Sequence, residues 1–465
     1  MRSSIWNGTQ AAVRLAKGAV LREVMFDVAD PAVWIALDDA VRHGGRSSAD
    51  GNWPPTWQAP TDAQLALALC HRDGRIRERA LGKVAGRPEL LPLIVIRCAD
   101  WAGPVRDRAR TRWTEAATVE TAVGLAPLAL RIGIRHRGDF AVGLIEKVLR
   151  SADREALLPL LTHADRTVRR FAHRLAVEEG FLSPAELARA AARDEDTVVQ
   201  GLCAEAALAA LAEGDADDDV LEPLLAARNP RARSAGVTAL RRAGRGERAV
   251  GFLGDRAAVV RACARYVVRQ SGGEPVEWYR RRCAEAGDAA LSAGVVSGLA
   301  ECGDRSDAEV LWALTAYPDP VVRARAVGGL RALDVLDVRR LRALLDDPAP
   351  GVVREATLAL VPSARMLDDG WLLERLAVEL PRETRVSAFR LLNAYGGLVR
   401  LRAAVALVGD PDDRLRQWAR QSVLRWHPTV EVPPGSAEVG ELLERAGLFD
   451  AYGLKRLKWE AGLKA

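Results

Sequence analysis

The chain has 465 residues, 49% of them apolar and 28% charged, with only 23 Pro and 39 Gly. This composition supplies a sizeable packed core and excludes a wholly disordered chain; at roughly 150 residues per domain the length suits about three domains or one continuous repeat array. The net charge of +5 is small for such a length and demands neither a nucleic-acid nor a membrane role.

From the N-terminus, residues 1–21 lack an apolar core and are broken by Asn7, Arg14 and Lys17, so no secretory leader is expected. The longest apolar runs, Leu90 to Ile96 and Ala122 to Leu130, fall far short of the roughly 20 residues of a membrane helix. Cys70, Cys98, Cys203, Cys263, Cys283 and Cys302 are never closer than 19 residues, so no C-x-x-C pair exists and buried free thiols in a reducing cytoplasm are expected. The Asn7-Gly8-Thr9 sequon is then a coincidence of composition. Residues 1–42 carry a helical pattern, and Gly44 to Pro60, rich in Gly, Ser and Pro, interrupts the chain with Trp53 and Trp57 in it.

Beyond this point one motif recurs. Asp73-Gly-Arg-Ile-Arg77-Glu-Arg-Ala80 returns at Asp165 to Ala172, Asp319 to Ala326 and Asp412 to Ala419, in the pattern D-x-x-[VIL]-R-x-x-A. Degenerate copies place the frame at 77, 106, 169, 199, 233, 261, 292, 323, 354, 385 and 416, the last five steps each being 31 residues, with a weak copy near Arg137. Apolar residues around the frame recur at helical spacing, as in Val322, Ala326, Val327 and Leu330. Asp-Pro or Asn-Pro before many copies (Asn229, Asp319, Asp347, Asp410) predicts an N-cap followed by Pro at the first helical position. No strand signal appears. The expected fold is all-α, a right-handed α-solenoid of about twelve two-helix units with a period of about 31 residues. Residues 1–64 are read as N-terminal capping helices and loop, 65–430 as the array, and 431–465 as a C-terminal capping helix and basic tail with Lys455, Arg456, Lys458 and Lys464.

The two-helix period and D-x-x-V-R-x-x-A resemble HEAT repeats, most closely the short variety of phycobilisome-lyase-type HEAT-like proteins, over roughly residues 65–430. The resemblance implies scaffolds, adaptors and a few enzymes alike. It also implies that the Asp and Arg of the motif cap helix ends and tie neighbouring units. The ladder Arg77, Arg169, Arg323, Arg354 and Arg416 is therefore assigned a structural role in preference to a phosphate-binding stripe.

Charge is unevenly spread: residues 141–230 hold 10 basic and 17 acidic side chains, and 231–300 hold 13 and 6. Within the basic block, Arg241 and Arg242 and the run Arg280, Arg281 and Arg282 beside Trp278 and Tyr279 are contact candidates for an acidic protein or a nucleic acid. Trp53 and Trp57 join them as candidates, with packing as an N-terminal cap as the competing reading. The acidic run Asp215 to Asp219 lacks calcium-loop spacing. No G-x-S-x-G, Walker A or G-x-G-x-x-G motif occurs, His71-Arg72-Asp73 lacks the other kinase motifs, and His163 and His173, ten apart, are the one pair near zinc-ligand spacing. No catalytic residue, cofactor or metal is assigned. The expected function is a non-catalytic cytoplasmic scaffold that binds a protein partner through a concave surface, with no membrane role and the oligomeric state left open. The alternative is nucleic-acid binding of the HEAT-like alkylpurine DNA glycosylase type, with a bilin-lyase-like client-modifying role third. The acidic block at 141–230 argues against a long duplex footprint.

Overall fold

The computed structural model describes residues 8–24, 30–43, 57–211, 217–285 and 291–463. They are helical throughout, with no strand among the described residues, and divide into two compact units, Met1–Gly236 and Val237–Ala465.

In unit 1, helices Gly8–Ala16, Leu21–Val24 and Pro31–His43 precede the pairs Asp62–Cys70 with Gly74–Leu81, Leu91–Arg97 with Gly103–Ala116, Val119–Gly133 with Asp139–Arg150, Leu158–Leu161 with Arg166–Glu178, and Pro184–Arg193 with Thr197–Ala209. A sixth pair, Asp218–Leu225 with Pro230–Arg242, spans the division at Gly236. Unit 2 begins its pairs with the 3-10 helix Gly246–Phe252 against Ala258–Gln270 and continues with Pro275–Ala284 and Ala293–Cys302, Ala308–Leu314 and Pro320–Ala332, Val338–Ala343 and Pro350–Leu360, Asp369–Glu374 and Arg382–Tyr395, and Gly397–Ala406 and Asp413–Leu424. Helices Ala437–Ala446 and Ala451–Glu460 close it. The fold is thus an all-α array of twelve two-helix, HEAT-like units.

Within each unit the second helices pack on one another and so do the first helices, as Gly74–Leu81 on Gly103–Ala116 and Leu91–Arg97 on Val119–Gly133 show. No pair could bury its apolar face alone, so the core runs along the stacked helices, in unit 1 as a cluster rich in Ala, Leu and Val from Ala11 to Ala176 and another from Leu187 to Ala232. Trp34, Trp113, Tyr279, Phe389 and Trp426 are its largest fully buried apolar side chains.

A repeated polar device sets the start of the second helices. Four residues after the N-cap, a long side chain turns back and donates to the carbonyl six residues before it. Arg77 Nη1 reaches His71 O at 2.7 Å, Arg169 reaches His163 O at 2.9 Å, Arg233 reaches Ala227 O at 2.8 Å, Arg261 reaches Asp255 O at 2.7 Å, Arg323 reaches Tyr317 O at 2.9 Å and Arg416 reaches Asp410 O at 2.6 Å. Gln200 Nε2 makes the same bond to Asp194 O at 2.8 Å, which puts the frame of its unit at 200, one residue beyond the position read from the sequence. Ser292 is itself an N-cap, accepting from Val295 N, which moves that frame from 292 to Val296.

The helix Pro350–Leu360 has its N-cap at Ala349, so its frame residue is Val353. Arg354 stands one residue outside the ladder, exposed and paired with Glu355 at 2.9 Å. Frames at 77, 106, 142, 169, 200, 233, 261, 296, 323, 353, 385 and 416 give twelve units whose eleven steps range from 27 to 36 residues and average close to 31. The even 31-residue steps in the sequence were partly accidental.

The caps differ from expectation in one further respect. Asp319 is an N-cap with Pro320 following. Asp347 and Asp410 lie two residues upstream of the caps Ala349 and Asp412, accepting their backbone N–H groups at 2.8 Å each. Asp100, Asp194 and Asp255 do the same for Ala102, Asp196 and Ala257. His71 and His163 substitute for that carboxylate, their Nδ1 atoms accepting from Asp73 and Asp165 N–H at 3.0 Å.

Asp196 accepts from Val198 and Val199 N–H and from both nitrogens of the Arg170 fork at 2.8 and 2.7 Å. Chiefly the Arg170 guanidinium holds its carboxyl down to about 2. A depressed folded-state value means that the stabilisation is complete above the unfolded value near 3.9 and is lost as pH falls towards 2. Acid titration of unit 1 followed by circular dichroism is expected to show this loss between about pH 4 and 2, and D196N is expected to flatten it.

Candidate functional site

The frame arginines have a second task. Arg77 presents Nε and Nη2 to Asp100 at 2.9 and 2.7 Å, Arg169 does so to Asp194 at 2.9 and 3.2 Å, and Arg323 to Asp347 at 2.9 Å for both. Arg385 pairs with Asp410. Each carboxylate, 23 to 25 residues on, is the one that accepts the N-cap N–H of the following second helix. The bidentate fork and two carbonyls take four of the five N–H donors of Arg77, Arg169 and Arg323, which leaves little to spend on a ligand. The most enclosed rung is in unit 1, where Arg77, Arg97 and Arg42 surround Asp38 and Asp100. The side chains of Arg77 and Asp100 there are both 0% exposed.

The basic block behaves differently from a phosphate-binding stripe. Arg280 is held by Glu277, Asp304 and Asp307 at 2.8, 3.1 and 2.7 Å, while Arg261 and Arg265 share Glu301. Arg282 lies 3.9 Å from Glu285. Arg241, Arg242 and Arg281 are exposed, with Arg242 among the residues that have a partner. Tyr279 is a core residue: it is fully buried, its hydroxyl donates to Leu253 O at 2.7 Å, and burial pushes its phenol up to about 12. It cannot stack on a base.

Trp53 and the residues around it lie outside the described residues, as do Asp215 and Lys464. Trp57 is half-buried against the N-terminal core, with the Arg79 guanidinium 4.9 Å from its ring centroid. Cys70, Cys98, Cys203 and Cys283 are buried and desolvation raises each thiol, the last three to about 12; Cys263 and Cys302 are half-buried. No group of three His, Cys, Asp or Glu side chains suited to a metal occurs among the described residues, and no described helix is long and apolar enough to cross a membrane.

The surface that stands out is at the end of unit 2. Helix Ala451–Glu460 starts at Asp450, whose side chain accepts from Gly453 N–H. It anchors itself through Leu457, 2% exposed, and through the Lys458–Glu444 ion pair. Its opposite face carries Tyr452, Lys455, Arg456 and Trp459 at positions i, i+3, i+4 and i+7, a single stripe. Tyr452 is 77% and Trp459 73% exposed. Sequence reading had the cations of this tail but not its aromatics, because only the helix phase shows that both line one face.

A second grouping joins His163 and His173, the pair near zinc-ligand spacing, with the ladder residue Arg169 and with Asp194 around one cleft of unit 1.

No family model and no curated protein matches the chain. Among solved structures, a karyopherin, Kap121p bound to the extreme C-terminus of the phosphatase Cdc14p, is similar at 12% identity and a TM-score of 0.33, over 79% of this chain and 48% of that one. Kap95p, in a structure with RanGDP, is similar at 10% identity and a TM-score of 0.38, over 98% of this chain and 66% of that one. An engineered protein is similar at 14% identity and a TM-score of 0.22, over 90% and 98%. The chain therefore spans about half the length of the first of these.

Proposed function

We propose that the chain is a non-catalytic scaffold that binds an acidic protein partner, with the Tyr452, Lys455, Arg456 and Trp459 face of helix Ala451–Glu460 as its principal contact. The observation that carries this reading is the pairing of two large exposed aromatics with Lys455 and with Arg456, which is 55% exposed and 3.5 Å from Glu460 of its own helix, on one turn-matched stripe. Trp, Tyr and Arg are the side chains that dominate protein interfaces, and exposing them singly to water gains nothing for the fold. A mean unit length near 31 residues supports the short HEAT-like class. The basic block at 231–300 plays a lesser part, since Arg261, Arg265 and Arg280 are already neutralised by carboxylates; this also disfavours the nucleic-acid reading.

Pull-down of the full chain from native extract with and without nuclease is expected to retain one protein at near-equal amount in both. Replacing Tyr452 and Trp459 with Ala is expected to weaken that complex by about tenfold or more. Reversing Lys455 and Arg456 to Glu is expected to slow its association and reduce its salt dependence. Because these side chains are exposed, the melting temperature should not move. Retention of nucleic acid alone, or a complex indifferent to both pairs of changes, would sink the proposal.

A further inference from the structure

Unit 1 contains an open cleft of about 590 Å³ between helices Arg166–Glu178 and Pro184–Arg193, lined in part by His163, His173, Arg189 and Arg193. The backbone decides the hydrogen positions of both imidazoles. Asp165 N–H donates to His163 Nδ1, so that nitrogen carries the lone pair and the neutral ring bears its hydrogen on Nε2. His173 Nδ1 lies 2.9 Å from Arg169 O, and a carbonyl can only accept, so there Nδ1 holds the hydrogen and Nε2 the lone pair.

His173 is 4% exposed and desolvation lowers its pKa, which keeps it neutral. One ring thus offers the cleft a donor and the other an acceptor.

The charges around the cleft sort in the same way. Arg169 is consumed by Asp194 and two carbonyls. Asp194 also accepts from Asp196 N–H, and Glu186 is held by Ser183 N–H and Arg154, which bring its carboxyl down to about 2. Arg189 and Arg193 are exposed, one turn apart on the same helix, with no ion pair among the described residues; the exposed Glu195 is the one carboxylate left to set against them. The unspent charge of the cleft is therefore positive.

We propose that this cleft binds a small oxyanion that also carries a hydroxyl hydrogen, as a monoprotonated phosphate or a hydroxycarboxylate does. Arg189 and Arg193 take its charge, His163 Nε2–H donates to one of its oxygens, and His173 Nε2 accepts its hydroxyl. The site is independent of the partner-binding reading, since it lies in unit 1 and shares no residue with helix Ala451–Glu460.

The test is calorimetric titration of the full chain near neutral pH with two matched pairs of probes: inorganic phosphate against sulfate, and malate against succinate. Sulfate and succinate bring charge without a hydroxyl, so they present only lone pairs to the lone pair of His173. The preferred member of at least one pair is expected to bind about tenfold more tightly than its match, and the pair that shows the preference identifies the source of the anion. R189E with R193E is expected to abolish the binding without changing the melting temperature. H173F is expected to erase the preference; should that variant fail to fold, the Nε2 nitrogen resonance of His173 in the unaltered chain is expected to shift on addition of the preferred probe. Equal binding within both pairs, binding that survives the double charge reversal, or no binding of any probe would overturn the proposal.

Discussion

Replacing Arg77 with Ala is expected to destabilise unit 1 by about 3–5 kcal/mol, the usual cost of breaking a buried ion pair by removing one partner. The side chains of Arg77 and Asp100 are both wholly buried, and Arg77 also serves the carbonyls of His71 and Arg72. Its loss leaves Asp100 with the weaker contacts from Arg97 at 3.2 Å and Arg42 at 3.6 Å. The same change at Arg323, whose side chain is 14% exposed and whose partner Asp347 is 9% exposed, admits water to the stranded carboxylate and should cost about 1–3 kcal/mol. Urea unfolding followed by circular dichroism and Trp fluorescence checks both. A chain of this size need not unfold in one step, so the expected signature is an earlier transition for one unit. Equal shifts from the two variants would count against burial as the deciding factor.

Gly294→Ala should be nearly as damaging, for a steric reason. A Cβ at Gly294 would sit 2.1 Å from Gly254 O and 2.8 Å from Asp255 O, and backbone cannot swing aside as a side chain can. Helix Ala293–Cys302 would have to back away from the preceding unit, with an overpacking cost of about 1–3 kcal/mol or more. Gly201 lies inside helix Thr197–Ala209 with nothing within 4 Å of its missing Cβ. There the same substitution is expected to stabilise by about 0.5–1 kcal/mol, because Ala lowers the entropy of the unfolded chain and favours the helix. Melting curves of the two variants should move in opposite directions.

How far these arrangements could be read beforehand varies with their range. The D-x-x-V-R motif was legible because a helix start is a local event: cap, buried Val and returning Arg all lie within eight residues. The frames at Val142, Gln200, Val296 and Val353 escaped, the first having been read near Arg137, since each lacks the Arg that marks its neighbours and the connecting first helices vary in length. A second signal lay in the sequence unused. Arg77, Arg169, Arg323 and Arg385 are each followed 23 to 25 residues later by an Asp, whereas the unit with Val142 leads to His163 and that with Val296 to Tyr317. The cleft was the least legible feature. His163 and His173 are ordinary by spacing, and their opposite hydrogen-bonding characters come from an N–H two residues on and a carbonyl four residues back.

The carboxylate that starts one helix while receiving the Arg of the unit before it also determines where the chain tolerates rearrangement. A deletion or duplication whose seam falls between Arg77 and Asp100, or between Arg323 and Asp347, strands a guanidinium on one side and an acid on the other. A seam just after Val142 parts no such rung, whereas one after Val296 separates Arg261 and Arg265 from Glu301 and Arg280 from Asp304 and Asp307. Recombination between units, in evolution or at the bench, should accordingly succeed at the Val142 junction and fail where an arginine pairs with a carboxylate beyond the seam, so that the inheritable module of this array is a block of several units rather than the single pair of helices.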